Sequence, residues 1–409
     1  MTTSVIGKNR LPWWEFLLMG YFAAYFLTPF HMDLSILPFL AIVSLYVSYI
    51  FIFNVNSRKD IIIYFSTIVF ISILYFLLTD TKSVQSESFI GIKRIFSKIQ
   101  QFTWMFFPLL LSSEFIRRAS KKQIFAIEIL IVSIIIFIIA ETLIAISLYP
   151  DITRAFDMDM VDYSAIKYVG TYYFVYLIPF LIVIVTFLPF RLPNIFSVAA
   201  SVAINIFLFY FIIQSQFTLA LLISFIGVLL VVWVHIKSLQ GHLFFVLFLL
   251  TFSMAFLPLL NWTIQHIQSE QMVERLTDVY MFFDYGESNT QNLGGRMSLY
   301  KDTILAFAEK PFFGNRSLPF DGHATLLTIL SDLGLLGGIP LYFLLFHSFF
   351  IARTTIKDKK AMDVFFIVLL LMGFTNPIHS STQISFGIWF IAPLTLHFLS
   401  SKAKKYEAK

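Results

Sequence analysis

Arg154, Arg296, Arg316, Asp321 and His323 are the residues whose types could do chemistry in an otherwise apolar chain. The last three lie in or beside the stretch "KPFFGNRSLPFDGH", residues 310–323, which sets charge and backbone breakers at the mouth of a long apolar run. Arg296 opens a segment in which Met297, Tyr300, Ile304 and Phe307 recur at helical spacing. A cation at a helix start opposes the macrodipole, so helix electrostatics does not account for it. A phosphate held there would meet both the N-terminal amides and a two-pronged guanidinium. The plainer alternative is a solvated or snorkelling arginine.

Arg154 is followed by Asp157, Asp159 and Asp162, and Gly170 stands at the start of the next apolar run. A salt-bridged surface loop is the simplest account of one arginine among carboxylates. His323, two residues after Asp321, carries the side chain whose charge changes nearest neutral pH. A lone histidine there could equally anchor or cap the helix that follows. None of the three segments decides its chemistry alone.

What must position these residues is a membrane domain. The chain has 409 residues, 58% hydrophobic and 13% charged, far from the usage of a soluble core. A span takes about 20 apolar residues. The sequence reads as all-α, with about twelve spans at 12–30, 34–53, 61–79, 102–116, 124–149, 171–190, 195–213, 217–236, 243–262, 324–350, 362–376 and 383–400. Residues 1–409 form one integral membrane domain, and the first span is too long for a signal-peptide core. With no cysteine there is no disulfide, thiolate metal site or thiol nucleophile.

Charge sets the orientation. With both termini cytoplasmic, 18 of the 29 lysines and arginines fall on inner segments, including Arg117, Arg118, Lys121, Lys122, Arg353, Lys357, Lys359 and Lys360. Two external segments then stand out, 150–170 and 263–323. The second is expected to hold an amphipathic helix around Ile264 to Phe283 and another from near Arg296, ended by Pro311 and Gly314. Its apolar stripe could lie on the membrane or pack against neighbouring spans. Residues 92–99, with Ile92, Ile95, Phe96 and Ile99 on one face, read as an interfacial anchor. Glu141 and Asp332 are charges at membrane depth, while Gly334, Gly337 and Gly338 read as close-packing positions. The cytoplasmic loops leave no room for a nucleotide-binding domain. Neither a P-loop nor a metal-binding histidine spacing is present.

The runs "GGRMSLYKDTILAFAEKPFFGNRS" and "GHATLLTILSDLGLLGG" resemble the O-antigen ligase/polymerase superfamily of bacterial envelopes. That family's pattern is an Arg opening a surface helix, a Pro-x-x-Gly turn, a His starting the next span and an acidic-Leu-Gly segment. Here these are Arg296, Pro311 with Gly314, His323, and Asp332-Leu333-Gly334. Wzy-type polymerases also have an Arg, fifteen residues, then a Gly in an outer loop, the spacing of Arg154 and Gly170.

The resemblance implies glycan transfer at the outer face of a bacterial inner membrane, from undecaprenyl-pyrophosphate-linked oligosaccharide to a sugar hydroxyl. It implies Arg154 and Arg296 on the pyrophosphate and His323 activating the hydroxyl. Arg316, Asp321, Gly170 and Gly314 would lie on the substrate side, with no cofactor or metal. Partners would be the lipid-linked saccharide, membrane lipid and a chain-length regulator such as many of these polymerases use, with no nucleic acid. A polymerase of surface polysaccharide is the leading expectation. A ligase to lipid A core or another terminal acceptor, and a lipid-oligosaccharide flippase, are the alternatives.

Overall fold

The computed structural model describes residues 11–28, 36–53, 55–78, 107–149, 152–153, 169–192, 194–266, 270–285, 293–315, 325–356, 358–376 and 381–407. Among these, the chain forms helices and turns and no strand. Long apolar runs have little alternative in lipid, because a helix satisfies every internal N–H and C=O within its own segment.

The helices are α1 (Trp13–Leu27), α2 (Ile36–Phe53), α3 (Val55–Leu78), α4 (107–118) and α5 (Lys121–Leu148). Next come α6 (Tyr172–Arg191), α7 (Ile195–Gln214), α8 (Thr218–His235) and α9 (Leu239–His266). Two helices, α10 (Glu270–Tyr285) and α11 (Leu293–Glu309), precede α12 (Thr325–Thr355), α13 (Lys359–Thr375) and α14 (Thr382–Glu407). Seven of them are long and apolar enough to cross a membrane: α5, α6, α7, α8, α9, α12 and, within α14, Gln383–Ser400. The protein is therefore a polytopic all-helical membrane protein. The five other apolar runs of the sequence coincide with α1 to α4 and α13.

Contacts between helix termini fall into two groups, at two ends of the bundle. One end gathers the ion pairs. Glu15, fully buried, accepts from Arg118 at 2.9 Å and from the Tyr49 hydroxyl at 3.0 Å. Arg117 meets the buried Glu114 at 3.3 Å, Arg353 grips Asp363 through two nitrogens at 2.6 and 3.1 Å, and Arg191 pairs with Asp358. Three helices start here with side-chain caps that take up orphan N–H groups. Ser120 forms a reciprocal capping box with Gln123, Asn194 accepts from Ser197 N at 2.8 Å, and Asp358 accepts from Ala361 N at 3.2 Å.

Elsewhere the bundle is held by aromatic and aliphatic packing, with Phe26 stacked on Phe386 at 5.2 Å and Phe180 on Phe365 at 6.4 Å. Within α14, residues Gly387–Ile391 widen into a π turn. The Ser112 hydroxyl of α4 donates to Trp389 O at 2.5 Å inside that turn, giving a loosened carbonyl a partner.

Between α9 and α12, element boundaries differ from the sequence reading in two places. The amphipathic helix placed around Ile264 to Phe283 is two pieces: α9 runs on to His266, and α10 begins at Glu270. Phe283 of α10 then packs edge-on against Phe256 of α9 at 5.6 Å. Helix α11 starts at Leu293, so Gly294 and Gly295 lie inside its first turn. First-turn N–H groups have no intrahelical partner anyway, which leaves that turn tolerant of glycine. The interfacial segment expected at 92–99 lies outside the described residues.

The buried carboxylate yields a stability test. Arg118→Leu strands Glu15 without its cation and is expected to cost about 3–5 kcal/mol. Glu15→Gln combined with Arg118→Leu should recover most of that loss. Thermal unfolding of the detergent-purified protein, followed by size-exclusion fluorescence, reads both.

Candidate functional site

Helix α12 is broken. Gly334 sits at φ 60°, ψ −166°, which separates 325–333 from 335–355 within an otherwise continuous span. In an unbroken helix Leu335 N would donate to Ser331 O and Leu336 N to Asp332 O. Instead the turn after α11 inserts into the gap. Leu335 N donates to Pro311 O at 2.8 Å, Leu336 N donates to Phe312 O at 3.1 Å, and Asn315 N donates to Ser331 O at 2.6 Å. The N–H groups of Leu335 and Leu336 and the carbonyl of Ser331 thus receive partners from the turn, as a non-aqueous setting favours.

The fit demands glycine on both sides. A Cβ on Gly314 (φ +76°) would lie 2.2 Å from Asp332 O, and one on Gly334 would lie 2.5 Å from Phe312 C and O. These are main-chain atoms that cannot swing away. Gly334 is thus a hinge that admits another backbone, where the sequence suggested a helix-packing position. Asn315, buried beside it, donates from Nδ2 to Glu309 Oε2 at 3.3 Å and so ties the turn to the end of α11. Helix α11 buries Thr303 and Ala306, whereas Ile304 and Leu305 are more than half exposed, as are Phe312 and Phe313. Ile304 and Leu305 thus face away from the bundle, while Tyr300 and Phe307 are half-buried.

The second cluster lies at the mouth of α12, at the end of the bundle opposite the ion pairs. Thr325, the first residue of α12, donates from both N (3.2 Å) and Oγ1 (3.0 Å) to Asn376 O. Asn376 ends α13 and is 1% exposed; its side-chain Oδ1 accepts from the Tyr172 hydroxyl at 2.6 Å. Orphan donors of one helix start are thereby satisfied by the carbonyl at another helix's end. Two residues before Tyr172, Gly170 N donates to Thr142 Oγ1 at 2.7 Å. A Cβ on Gly170 would meet Phe174 Cδ1 at 2.5 Å and Thr142 Oγ1 at 3.0 Å, so this glycine fills a closed space between α5 and α6. The Tyr172 and Tyr176 rings pack on Phe217 at 5.4 and 5.6 Å. Just before Phe217, Ser215 O accepts from the buried Thr153 hydroxyl at 3.4 Å.

Most of the sequence-nominated side chains are not among those described. Arg154, Arg316, Asp321 and His323 lie outside the described residues, and Arg296 is described only by its backbone place as the fourth residue of α11. Their attachment points are described. Arg154 follows Thr153, and His323 precedes Thr325 by two residues; Thr153 bonds Ser215, Phe217 packs on Tyr172, and Tyr172 and Thr325 both bond Asn376. Both ends of the segment 154–168 and the later end of 316–324 thus adjoin one set of contacts. The turn holding Gly314 enters α12 nine residues below Thr325, about 13 Å along the axis.

Sequence reasoning missed Asn376, Tyr172 and Thr325. The available signal was the Asn-Pro pair at 376–377, a turn mark after an apolar run. It also passed over Glu15 and Glu114, carboxylates inside or beside apolar segments that a search for intramembrane charge would have raised. Glu141 and Asp332, which it did raise, are each half-buried. Among the described residues, no three His, Asp or Glu side chains come together as metal ligands. No family model and no curated protein matches the chain.

Gly314→Ala and Gly334→Ala are each expected to destabilise the protein by ~3 kcal/mol or more, from positive-φ strain and main-chain overlap. Gly20→Ala is the control. Its Cβ would meet only the tip of Leu130 at 3.3 Å in a regular helix, so its melting temperature should stay within a few degrees of wild type.

Proposed function

We propose that the chain polymerises undecaprenyl-pyrophosphate-linked oligosaccharide repeat units into surface polysaccharide at the outer face of a bacterial inner membrane. On this reading about twelve spans cross the membrane, both termini are cytoplasmic, and the segments 150–170 and 263–323 are external. The observation that carries it is the interlock between Pro311–Gly314 and Asp332–Gly334. These are two separate parts of the pattern that resembles the O-antigen ligase/polymerase superfamily. Their mutual hydrogen bonds give a physical reason for a Pro-x-x-Gly turn and an acidic-Leu-Gly segment to occur together.

The chemistry follows from the residue types. The acceptor hydroxyl oxygen attacks the anomeric carbon of the donor sugar, a new glycosidic bond forms, and the carbon–oxygen bond to the pyrophosphate breaks. Negative charge grows on the leaving undecaprenyl pyrophosphate, where fixed cations aimed at it lower the barrier. Arg154 and Arg296 supply that charge, and a guanidinium grips paired phosphate oxygens in a way an ammonium does not. His323 takes the proton from the acceptor hydroxyl and passes it to water. Arg316 adds charge beside the leaving group, and Asp321 orients the imidazole. The energy of the pyrophosphate linkage drives the transfer, so no nucleotide is consumed. A separate chain-length regulator would act on this complex from outside the chain.

A strain lacking the gene should attach single repeat units to the final acceptor, with no ladder of longer chains. Long chains stranded on the lipid carrier would instead indicate a ligase, and units trapped inside the cell a flippase. Arg296→Ala and His323→Ala should each reduce chain extension by ~10²-fold or more at unchanged protein level, the usual scale for losing a charge donor or general base. Arg154→Lys should fail to a similar degree, because it keeps the charge and loses the fork. A normal ladder from Arg296→Ala would remove the pyrophosphate assignment.

A further inference from the structure

Asn376 belongs to no motif, yet it stands where two separate segments end. Its Oδ1 accepts from Tyr172 at 2.6 Å and its main-chain oxygen accepts twice from Thr325, at 3.2 and 3.0 Å. Its own N–H donates to Met372 O at 2.8 Å and its Nδ2 to Thr375 Oγ1 at 3.1 Å, so every polar group of the residue is engaged. Asn376 is 1% exposed and Thr325 fully buried, so water does not compete for these bonds. Tyr172 in turn is wedged against Tyr176 at 4.7 Å and Phe217 at 5.4 Å, which fixes the ring carrying the hydroxyl. A neutral amide suits this place. It can accept at two oxygens without bringing a charge into an apolar bundle, and a carboxylate would incur the cost of desolvation.

We infer that Asn376 is a positioning residue: it clamps Tyr172 to Thr325 and thereby fixes, relative to each other, the ends of the two external segments that carry Arg154 and His323. The clamp itself follows from the hydrogen bonds, whereas its role in transfer rests on the glycan-polymerising reading given above. Reacting groups held on different segments must keep their spacing closely, and a misplacement of about 1 Å can cost 10²-fold in rate. The clamp performs that task without touching substrate.

Two near-isosteric variants cut it from opposite sides. Tyr172→Phe removes only the hydroxyl donated to Asn376, and Thr325→Val removes only the side-chain donor. The first readout is hydrogen–deuterium exchange of the detergent-purified full chain, which needs no activity. Tyr172→Phe should speed exchange at least fivefold in the peptide covering 325–331, and Thr325→Val should do so in the peptide covering 169–176, each on the far side of the clamp. The second readout is transfer by reconstituted protein with lipid-linked repeat units. Here kcat should fall about 10-fold or more with KM unchanged, and Thr325→Ser should restore it.

Exchange confined to the mutated segment would overturn the clamp. Exchange that crosses it while kcat stays at the wild-type value would overturn the positioning role. A wild-type protein that transfers no glycan counts against the proposed function alone, and the exchange measurement still decides the clamp.

Discussion

A broken helix inside a bilayer must have its severed backbone groups satisfied by protein, and the arrangement around Gly334 is organised by that demand. Water is not on hand to bond the freed N–H of Leu335 and Leu336, and each unsatisfied group would cost several kcal/mol. The turn at 311–315 supplies the partners, which fixes α11 against α12 and sets the depth at which the chain starts back toward the mouth of α12. Glycine at both 314 and 334 is the steric condition for two backbones to meet this closely. The segment 316–324 therefore joins the scaffold at two buried residues, Asn315 and Thr325.

The two ends of the bundle are built with different chemistry. One is ionic, with Glu15, Glu114, Asp358 and Asp363 each held by an arginine. At the other, neutral groups join the helix ends: Thr142, Tyr172, Thr325, Asn376 and Gln383, whose Nε2 donates to Leu27 O at 3.2 Å.

The apolar helices were legible because hydropathy is a property of the segment itself: the runs at 195–213 and 217–236 are α7 and α8 to within a residue or two. The break at Gly334 was not, because "DLGLLGG" reads as a helix with small residues and its positive φ depends on a turn twenty residues away. The stripe on α11 was legible only in part. Tyr300, Ile304 and Phe307 carry the right period, but the side buried is that of Thr303 and Ala306, since close approach to α12 favours small side chains. For Asn376 the Asn-Pro pair marks only a turn: its partners come from α6 and α12, and no local pattern marks such a meeting point. Arg154, Arg296 and His323 remain nominated by type, spacing and resemblance, with their attachment points now described.

Taken together, these features describe a helical membrane scaffold whose interlocked turn and asparagine clamp hold the roots of two segments that carry arginine and histidine. The account is tested most directly by the purified protein in liposomes given undecaprenyl-pyrophosphate-linked repeat units and nothing else. It predicts products of two and more repeat units, with one undecaprenyl pyrophosphate released for each new glycosidic bond. Recovery of single units alone, with products forming only once a separate terminal acceptor is added, would contradict it.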